Sequence, residues 1–139
     1  MANRGGPFDR AQYTANGWNF LTIQWTSAAS GAVPTSYPGG YIRATDEFKI
    51  PVRTGTGAYT LTLTSQWAAR SFGIIPYLLQ STYSASGACV MQLVEDKSND
   101  VTTQEIKVLI TNAAGAAVDP TTSDVIGLTL MTCLFDPQA

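Results

Sequence analysis

The chain has 139 residues, of which 45% are hydrophobic and 13% are charged. This length fits one domain, and the hydrophobic content excludes a disordered chain. Eight Lys and Arg against ten Asp and Glu give a net charge of −2, which argues against a basic nucleic-acid binder. The charged fraction is about half that of a usual soluble domain, which favours a protein that hides part of its surface against other subunits.

The sequence contains no histidine. Ser-His-Asp and Cys-His catalysis, His-based zinc sites and the ordinary general base near neutral pH are therefore excluded. Glycine-rich phosphate-binding loops are missing as well, so we expect no catalytic residue, no cofactor and no enzyme activity. No apolar stretch reaches the roughly 18 residues of a membrane helix, and residues 1–10 lack the apolar core of a secretory signal.

Residues 1–18 are predicted to form an extended N-terminal arm. They contain Gly5, Gly6, Pro7 and the pair Asn16-Gly17, but no periodic apolar pattern. Such an arm folds back on its own domain or reaches a neighbouring subunit, and the alternative is a frayed chain end. Residues 19–139 are expected to form a single domain.

The first part of this domain predicts short strands separated by turns. A strand is predicted over residues 19–26, a loop rich in Ser, Ala, Gly and Pro over 27–40, and a further strand over 41–44. In the next strand, over 48–53, Phe48, Ile50 and Val52 should share one face. Pro51 places that strand at a sheet edge. Residues 54–57 are predicted to be a turn.

The clearest alternation lies in residues 59–64. Tyr59, Leu61 and Leu63 point to one face and three threonines to the other, which predicts a half-buried strand. A short helical turn is predicted over 66–70. Residues 72–83 are apolar on both faces, and Pro76 predicts a bulge or a kinked edge strand there.

Three more strands are predicted over residues 88–94, 101–111 and 125–135, with an acidic turn over 95–100. The second should bury Ile106, Val108 and Ile110. The last strand is apolar on both sides, so the side that does not face the core needs an arm or another subunit to cover it. The fold class is therefore all-β: a single-domain β-sandwich, with a jelly roll or a related Greek key as its topology.

Other residue groups allow more than one interpretation. The aspartates and asparagine at 96, 99, 100, 119 and 124 suit either Asx turns or a calcium site, and we favour the turns, so no metal is expected. Cys89 and Cys133 fit two buried thiols, with a disulfide as the alternative. Trp25 and Trp67 fit core positions, and Tyr37 and Tyr41 fit the cover of a loop or an interface. The alternative is a carbohydrate-binding platform formed by the tryptophans, Trp18 included, and the tyrosines.

Residues 57–64, Gly-Ala-Tyr-Thr-Leu-Thr-Leu-Thr, resemble the Gly-x-aromatic-Thr-hydrophobic-Thr-hydrophobic opening of small virion proteins in tailed bacteriophages. The similarity continues as a pattern through the strand at 101–111, the Gly/Asp loop at 112–124 and the strand at 125–135. It implies a capsid decoration or cement protein on the outside of a phage head. Such a protein, made in the host cytoplasm, braces neighbouring major capsid proteins as a homotrimer, without contact to nucleic acid or membrane.

This resemblance directs our expectations for the contact residues. We expect capsid contacts in the arm and in the 31–41 loop, and a subunit interface on the outer side of the last strand. Alternatives are another phage component, such as a head-fibre base, neck or tail protein, and a carbohydrate-binding module. The candidate contact residues are Arg4, Phe8, Arg10, Tyr13, Tyr37, Tyr41, Met131 and Phe135.

Overall fold

The computed structural model describes residues 12–13, 18–34, 43–44, 48–64, 71–82, 87–98, 100 and 102–133. Within these ranges the chain consists mostly of strands, with almost no helix. They are β1 (Gln12–Tyr13), β2 (Trp18–Thr26), β3 (Arg43–Ala44), β4 (Val52–Gly55), β5 (Ala58–Thr62), β6 (Ser71–Leu79), β7 (Cys89–Lys97), β8 (Glu105–Asn112) and β9 (Val125–Cys133). Ala29–Gly31 form a 3-10 turn that lies wholly within these ranges. No helix in the described part has the length and apolarity of a membrane span.

The strands form two antiparallel sheets, as expected for a β-sandwich. Sheet I has the order β1-β2-β9-β6. The short strand β3 pairs with β2 on the same side as β1, next to it along the strand. Sheet II has the order β4-β5-β8-β7. Strands distant in sequence, such as β2 and β9 or β5 and β8, are neighbours, so the chain crosses between the sheets.

Alternating side chains from both sheets fill the space between them. The predicted inward faces of the strands at 59–64 and 101–111 are confirmed, because the apolar residues named for them are at most 1% exposed. In the last strand, Ile126, Leu128 and Leu130 face the core and are completely buried. Trp25 is also completely buried and packs edge-to-face on Tyr59. The largest fully buried side chains are Leu21, Ile23, Trp25, Tyr59, Leu61, Leu63, Ile106, Val108, Ile110, Ile126, Leu128 and Leu130.

The shared face predicted for residues 48–53 is wrong. Phe48 turns into the core and bridges to Leu63, whereas Ile50 and Val52 are 52% and 58% exposed. The strand begins only at Val52, whose pairing with Thr60 places it on the outer face of sheet II. Pro51 breaks the alternation, and the edge position that it predicted is correct.

Two other strand boundaries differ from the prediction. β7 continues through the expected acidic turn to Lys97, because Glu95 pairs across the sheet with Lys107 and gains ion pairs there. β8 begins at Glu105, after a turn at residues 102–103. Pro76 lies in β6, an edge strand as predicted, but the irregular pairing is between Ser71 and Gly73.

The N-terminal residues are described only in part. Gln12 and Tyr13 pair with Phe20 and Asn19, so this piece of the predicted arm folds back on sheet I as a short hairpin. The helical turn predicted for 66–70 and Trp67 lie outside the described residues. Cys89 is a half-buried free thiol, in agreement with the thiol interpretation and not with a disulfide to Cys133.

Candidate functional site

The outer face of sheet I is the most unusual surface of the described structure. In β2, β9 and β6, the side chains that point away from the core include no charged residue. Phe20, Ile75 and Leu79 on this face are 36%, 59% and 62% exposed. We call this surface the uncharged face; it consists of Phe20, Thr22, Gln24, Thr26, Gly73, Ile75, Tyr77, Leu79, Val125, Gly127, Thr129 and Met131.

An aromatic ring covers the middle of this face. The strand register aligns Gln24, Gly127 and Tyr77 in one row across three strands. The Tyr77 ring lies over Gly127, where a Cβ atom would come within 2.1 Å of it, and its hydroxyl donates a 2.9 Å hydrogen bond to Gln24 Oε1. Burial of the hydroxyl raises the pKa of Tyr77. Tyr77 therefore bridges the sheet from its edge strand to β2, and only glycine at position 127 leaves room for it.

The outer face of sheet II is charged, in contrast to sheet I. Glu95 accepts ion pairs from Lys97 at 2.8 Å and from Lys107 at 2.7 Å. Hydrogen bonds from Lys107 and Lys97 lower the pKa of Glu95 to about 2. A sheet whose outer side faces water normally carries such charges. In sheet I, β2, β9 and β6 carry no charged residue in the described structure, and the short strand β3 places Arg43 beside Gln24 at the margin of this face.

A polar cluster joins the loops at one end of the sandwich. Arg53 forms a two-pronged ion pair with Asp119, with Nη2–Oδ2 at 2.7 Å and Nε–Oδ1 at 3.1 Å. Asp119 Oδ1 also accepts the Gly57 amide at 2.8 Å. Nearby, the buried hydroxyl of Tyr59 donates to the Gly31 carbonyl at 2.7 Å, and burial raises the pKa of that tyrosine. These bonds attach the 113–120 and 27–34 loops to the β4–β5 hairpin.

Asp124 holds a second loop at this end. It is 2% exposed, and Oδ1 accepts the Ser81 amide at 2.7 Å and the Ser81 hydroxyl at 2.9 Å. Oδ2 accepts the Thr121 amide at 2.9 Å. Burial alone would raise the pKa of Asp124, but these hydrogen bonds together lower it. Asp100 accepts the Thr102 and Thr103 amides and Asp96 accepts the Ser98 amide, so the Asx-turn interpretation is correct for these two aspartates. It is wrong for Asp119 and Asp124, which accept hydrogen bonds from other loops.

We expect acid to weaken the loop end of the sandwich. The hydrogen bond from Arg53 lowers the pKa of Asp119 below the ordinary value of 3.8. The ionised Asp119 side chain therefore stabilises the fold fully at pH values above 3.8. That contribution is lost as the pH falls through the lower folded pKa. Thermal unfolding followed between pH 7 and pH 2.5 should show a smaller loss of Tm in Asp119→Asn than in the parent. An unchanged acid dependence would contradict the ion pair; the change should be small, since both side chains are partly exposed.

A cavity of about 250 Å³ opens beside this end of the molecule. Its walls include Cys89, Asn112, Asp119 and Asp124. Both carboxylates already accept hydrogen bonds from the protein. In the described ranges, no three His, Cys, Asp or Glu side chains come together as metal ligands.

The structure describes only part of the predicted contact set. Met131 lies on the outer side of β9, in the row of Phe20 and Gly73, and its Cε atom packs over Gly73. Tyr13 belongs to β1, beside β2. Arg4, Phe8, Arg10, Tyr37, Tyr41 and Phe135 lie outside the described residues. The outer side of β9 is half-buried in this single chain and forms the centre of the uncharged face.

The sequence analysis did not identify Phe20, Gln24, Ile75 and Leu79 as candidate site residues. The sequence did contain a signal for Ile75 and Leu79, because residues 72–83 are apolar at both odd and even positions and so predict apolar side chains on both faces of the strand. Comparison of the chain with protein-family models, curated proteins and solved structures finds no match.

Proposed function

We propose that this protein is a virion structural protein, a capsid cement or decoration protein that braces major capsid proteins on the outside of a phage head. The uncharged face is its main contact surface with the assembly. The proposal combines the sequence resemblance of residues 57–135 with the surface properties of sheet I. Capsid contacts of the arm and of the 31–41 loop remain part of the proposal.

The observation that carries this proposal is the absence of charge across three strands. Interface cores are depleted of charged residues and enriched in aromatic residues and methionine. The uncharged face has Phe20, Tyr77 and Met131, together with the exposed Ile75 and Leu79. A flat sheet face of this composition favours packing against another protein surface, as the two layers of a sandwich do.

Two edge strands of the sandwich disfavour pairing with strands of another molecule, which favours contacts through the sheet faces. Pro76 lies in edge strand β6, and a proline in an edge strand cannot donate a hydrogen bond to an added strand. At one edge of sheet II, β7 has an irregular register between Leu93 and Glu95. Both features oppose strand-to-strand pairing of copies at these two edges. They favour association through the uncharged face over pairing along β6 or β7.

The test is the binding of the purified protein to heads that lack it, followed by heating. We expect Ile75→Asp to weaken head binding by tenfold or more, because a buried unpaired carboxylate costs several kcal/mol and about 1.4 kcal/mol is tenfold. Heads with bound parent protein should retain DNA at a higher temperature than bare heads. Val52→Asp is the matched control, since Val52 is 58% and Ile75 59% exposed, each on an edge strand.

The control separates a specific face from a general effect of added charge. Val52→Asp should bind as the parent does, and both variants should keep the parent Tm within a few degrees. Equal binding of Ile75→Asp and the parent would overturn the assignment of the face. Equal heat resistance of bare and decorated heads would overturn the bracing role.

A carbohydrate-binding role is the second candidate, and one observation favours it. The Tyr77 ring lies over the sheet and is flanked by the uncharged polar side chains of Gln24, Thr22 and Thr129. An aromatic ring with neighbouring amide and hydroxyl groups suits the stacking of a sugar. Glycan-array binding that is lost in Tyr77→Ala would favour this role over capsid binding.

A further inference from the structure

Two glycines of the uncharged face lie beneath long side chains of neighbouring strands. Gly127 lies under the ring of Tyr77, and a Cβ atom added to it would come within 2.1 Å of that ring. Gly73 pairs with Met131, and its Cβ atom would lie 3.6 Å from Met131 Cε. One covering side chain starts from edge strand β6 and the other from central strand β9. The two depressions that glycine leaves in this face are therefore filled.

The middle of the face is flat as well as uncharged. The Tyr77 hydroxyl donates to Gln24 Oε1 at 2.9 Å, so the ring lies across β9 and its polar end is already satisfied. The neighbouring row consists of Thr22, Thr129 and Ile75, whose β-branched side chains are short and occupy few rotamers. Neither a groove nor a projecting charged group interrupts these two rows.

Such a face selects the shape and charge of its partner. Helices pack by placing the ridges of one surface into the grooves of another, and the filled depressions remove such grooves. A charged group of the partner would lose its water here without gaining an opposite charge. The face therefore suits a partner surface that is itself flat and uncharged.

The size of the face favours the head over a second copy of this chain. Its three strands, about 4.8 Å apart, and its four rows, about 6.8 Å apart, span roughly 400 Å² in the plane of the sheet. Each partner of a stable pair buries roughly 800 Å², so two free copies would not hold together through this face alone. On a head, other contacts of the same subunit add to this one and strengthen it.

We infer that Gly73 and Gly127 determine which partner the uncharged face accepts, namely a flat, uncharged surface of the major capsid protein in the assembled head. Gly127 acts through Tyr77 and Gly73 through Met131, so both are positioning residues that keep the face level. The inference rests on the proposed function, and it adds flatness to the absence of charge as a condition for binding. A group placed beneath either covering side chain raises that side chain and opens a gap between the two surfaces.

The first experiment raises Met131 without adding charge and measures binding to heads that lack the protein. Gly73→Val should keep the parent Tm within a few degrees, because Gly73 has no positive φ and its Cβ atom would make only an ordinary contact. Head binding should fall tenfold or more, because the gap removes close packing at the centre of the contact. Gly55→Val is the matched control and should bind as the parent does. Gly55 also lies on an edge strand, and its Cβ atom would meet only Ala58 Cβ, at 4.0 Å.

The second experiment tests whether Gly127 acts through Tyr77. In Gly127→Ala the ring must leave the sheet and lose its hydrogen bond to Gln24, so head binding should fall tenfold or more. With Tyr77→Ala in the same chain no ring is present to be raised, so the double variant should bind heads as Tyr77→Ala alone does. Additive losses would overturn the positioning role of Gly127.

Each outcome supports or overturns the inference. Equal binding of Gly73→Val and the parent would overturn it and leave the proposed function standing, whereas a parent that does not bind heads would refute both. Loss of binding together with a large loss of Tm in Gly73→Val would show a structural role and overturn the positioning one. A parent dimer in light scattering that Gly73→Val dissociates would assign the face to a second copy in place of the head.

Discussion

Replacing Gly57 with alanine should lower the free energy of unfolding by about 3–5 kcal/mol. Gly57 has φ +65°, a conformation that costs a residue with a side chain about 1–2 kcal/mol. A Cβ atom there would lie 2.4 Å from the Val118 carbonyl oxygen and 2.6 Å from that of Ile110. These atoms belong to the backbone, so the hairpin must shift and strain its bonds to Asp119 and Ile110.

Gly115 provides a matched control for this substitution. It has φ +81°, but no heavy atom lies within 4 Å of the position that its Cβ would take. Gly115→Ala should therefore cost only the conformational term, about 1–2 kcal/mol. Urea unfolding followed by circular dichroism measures both variants. If both variants lost the same free energy of unfolding, the close approach of the Val118 and Ile110 carbonyls to Gly57 would add nothing to the cost of the substitution.

The sequence predicted best those features that depend on alternation within one strand. In residues 59–64 each second side chain is apolar, and the structure buries these side chains and pairs the strand at both edges. The prediction failed at Phe48, Ile50 and Val52, where the same spacing was present. Pro51 lies between them and the chain turns Phe48 inward, which spacing alone cannot show.

The polar contacts could not be predicted, because they join residues far apart in the chain. Arg53 and Asp119 are 66 positions apart, and Tyr77 and Gln24 are 53 apart. Each pair meets only when the strand order is known. The requirement for glycine at position 127 depends on Tyr77 of another strand, so no local pattern in β9 reveals it. The uncharged face likewise emerges only when three strands are aligned.

The alignment of the strands also changes how the apolar character of the last strand, β9, is interpreted. Its apolar character on both sides predicted a second covering layer, and β9 is indeed central in its sheet. Tyr77 from the edge strand covers part of its outer side, at Gly127. The rest of that side, with Val125 and Met131, remains half-buried within the uncharged face. The chain thus covers a part of this side itself, and the remainder belongs to the surface on which we propose that another molecule packs.

Replacing Asp124 with alanine should lower the free energy of unfolding by about 2–5 kcal/mol. The buried Asp124 carboxylate accepts the Ser81 and Thr121 amides, and a hydrogen bond to a charged group is worth about 1.5–3 kcal/mol. Asp100→Ala is the control, because Asp100 also accepts two backbone amides but is exposed, so water replaces the carboxylate. That variant should lose less than about 1 kcal/mol. Urea unfolding measures both, and equal losses would contradict a structural role for the burial of Asp124.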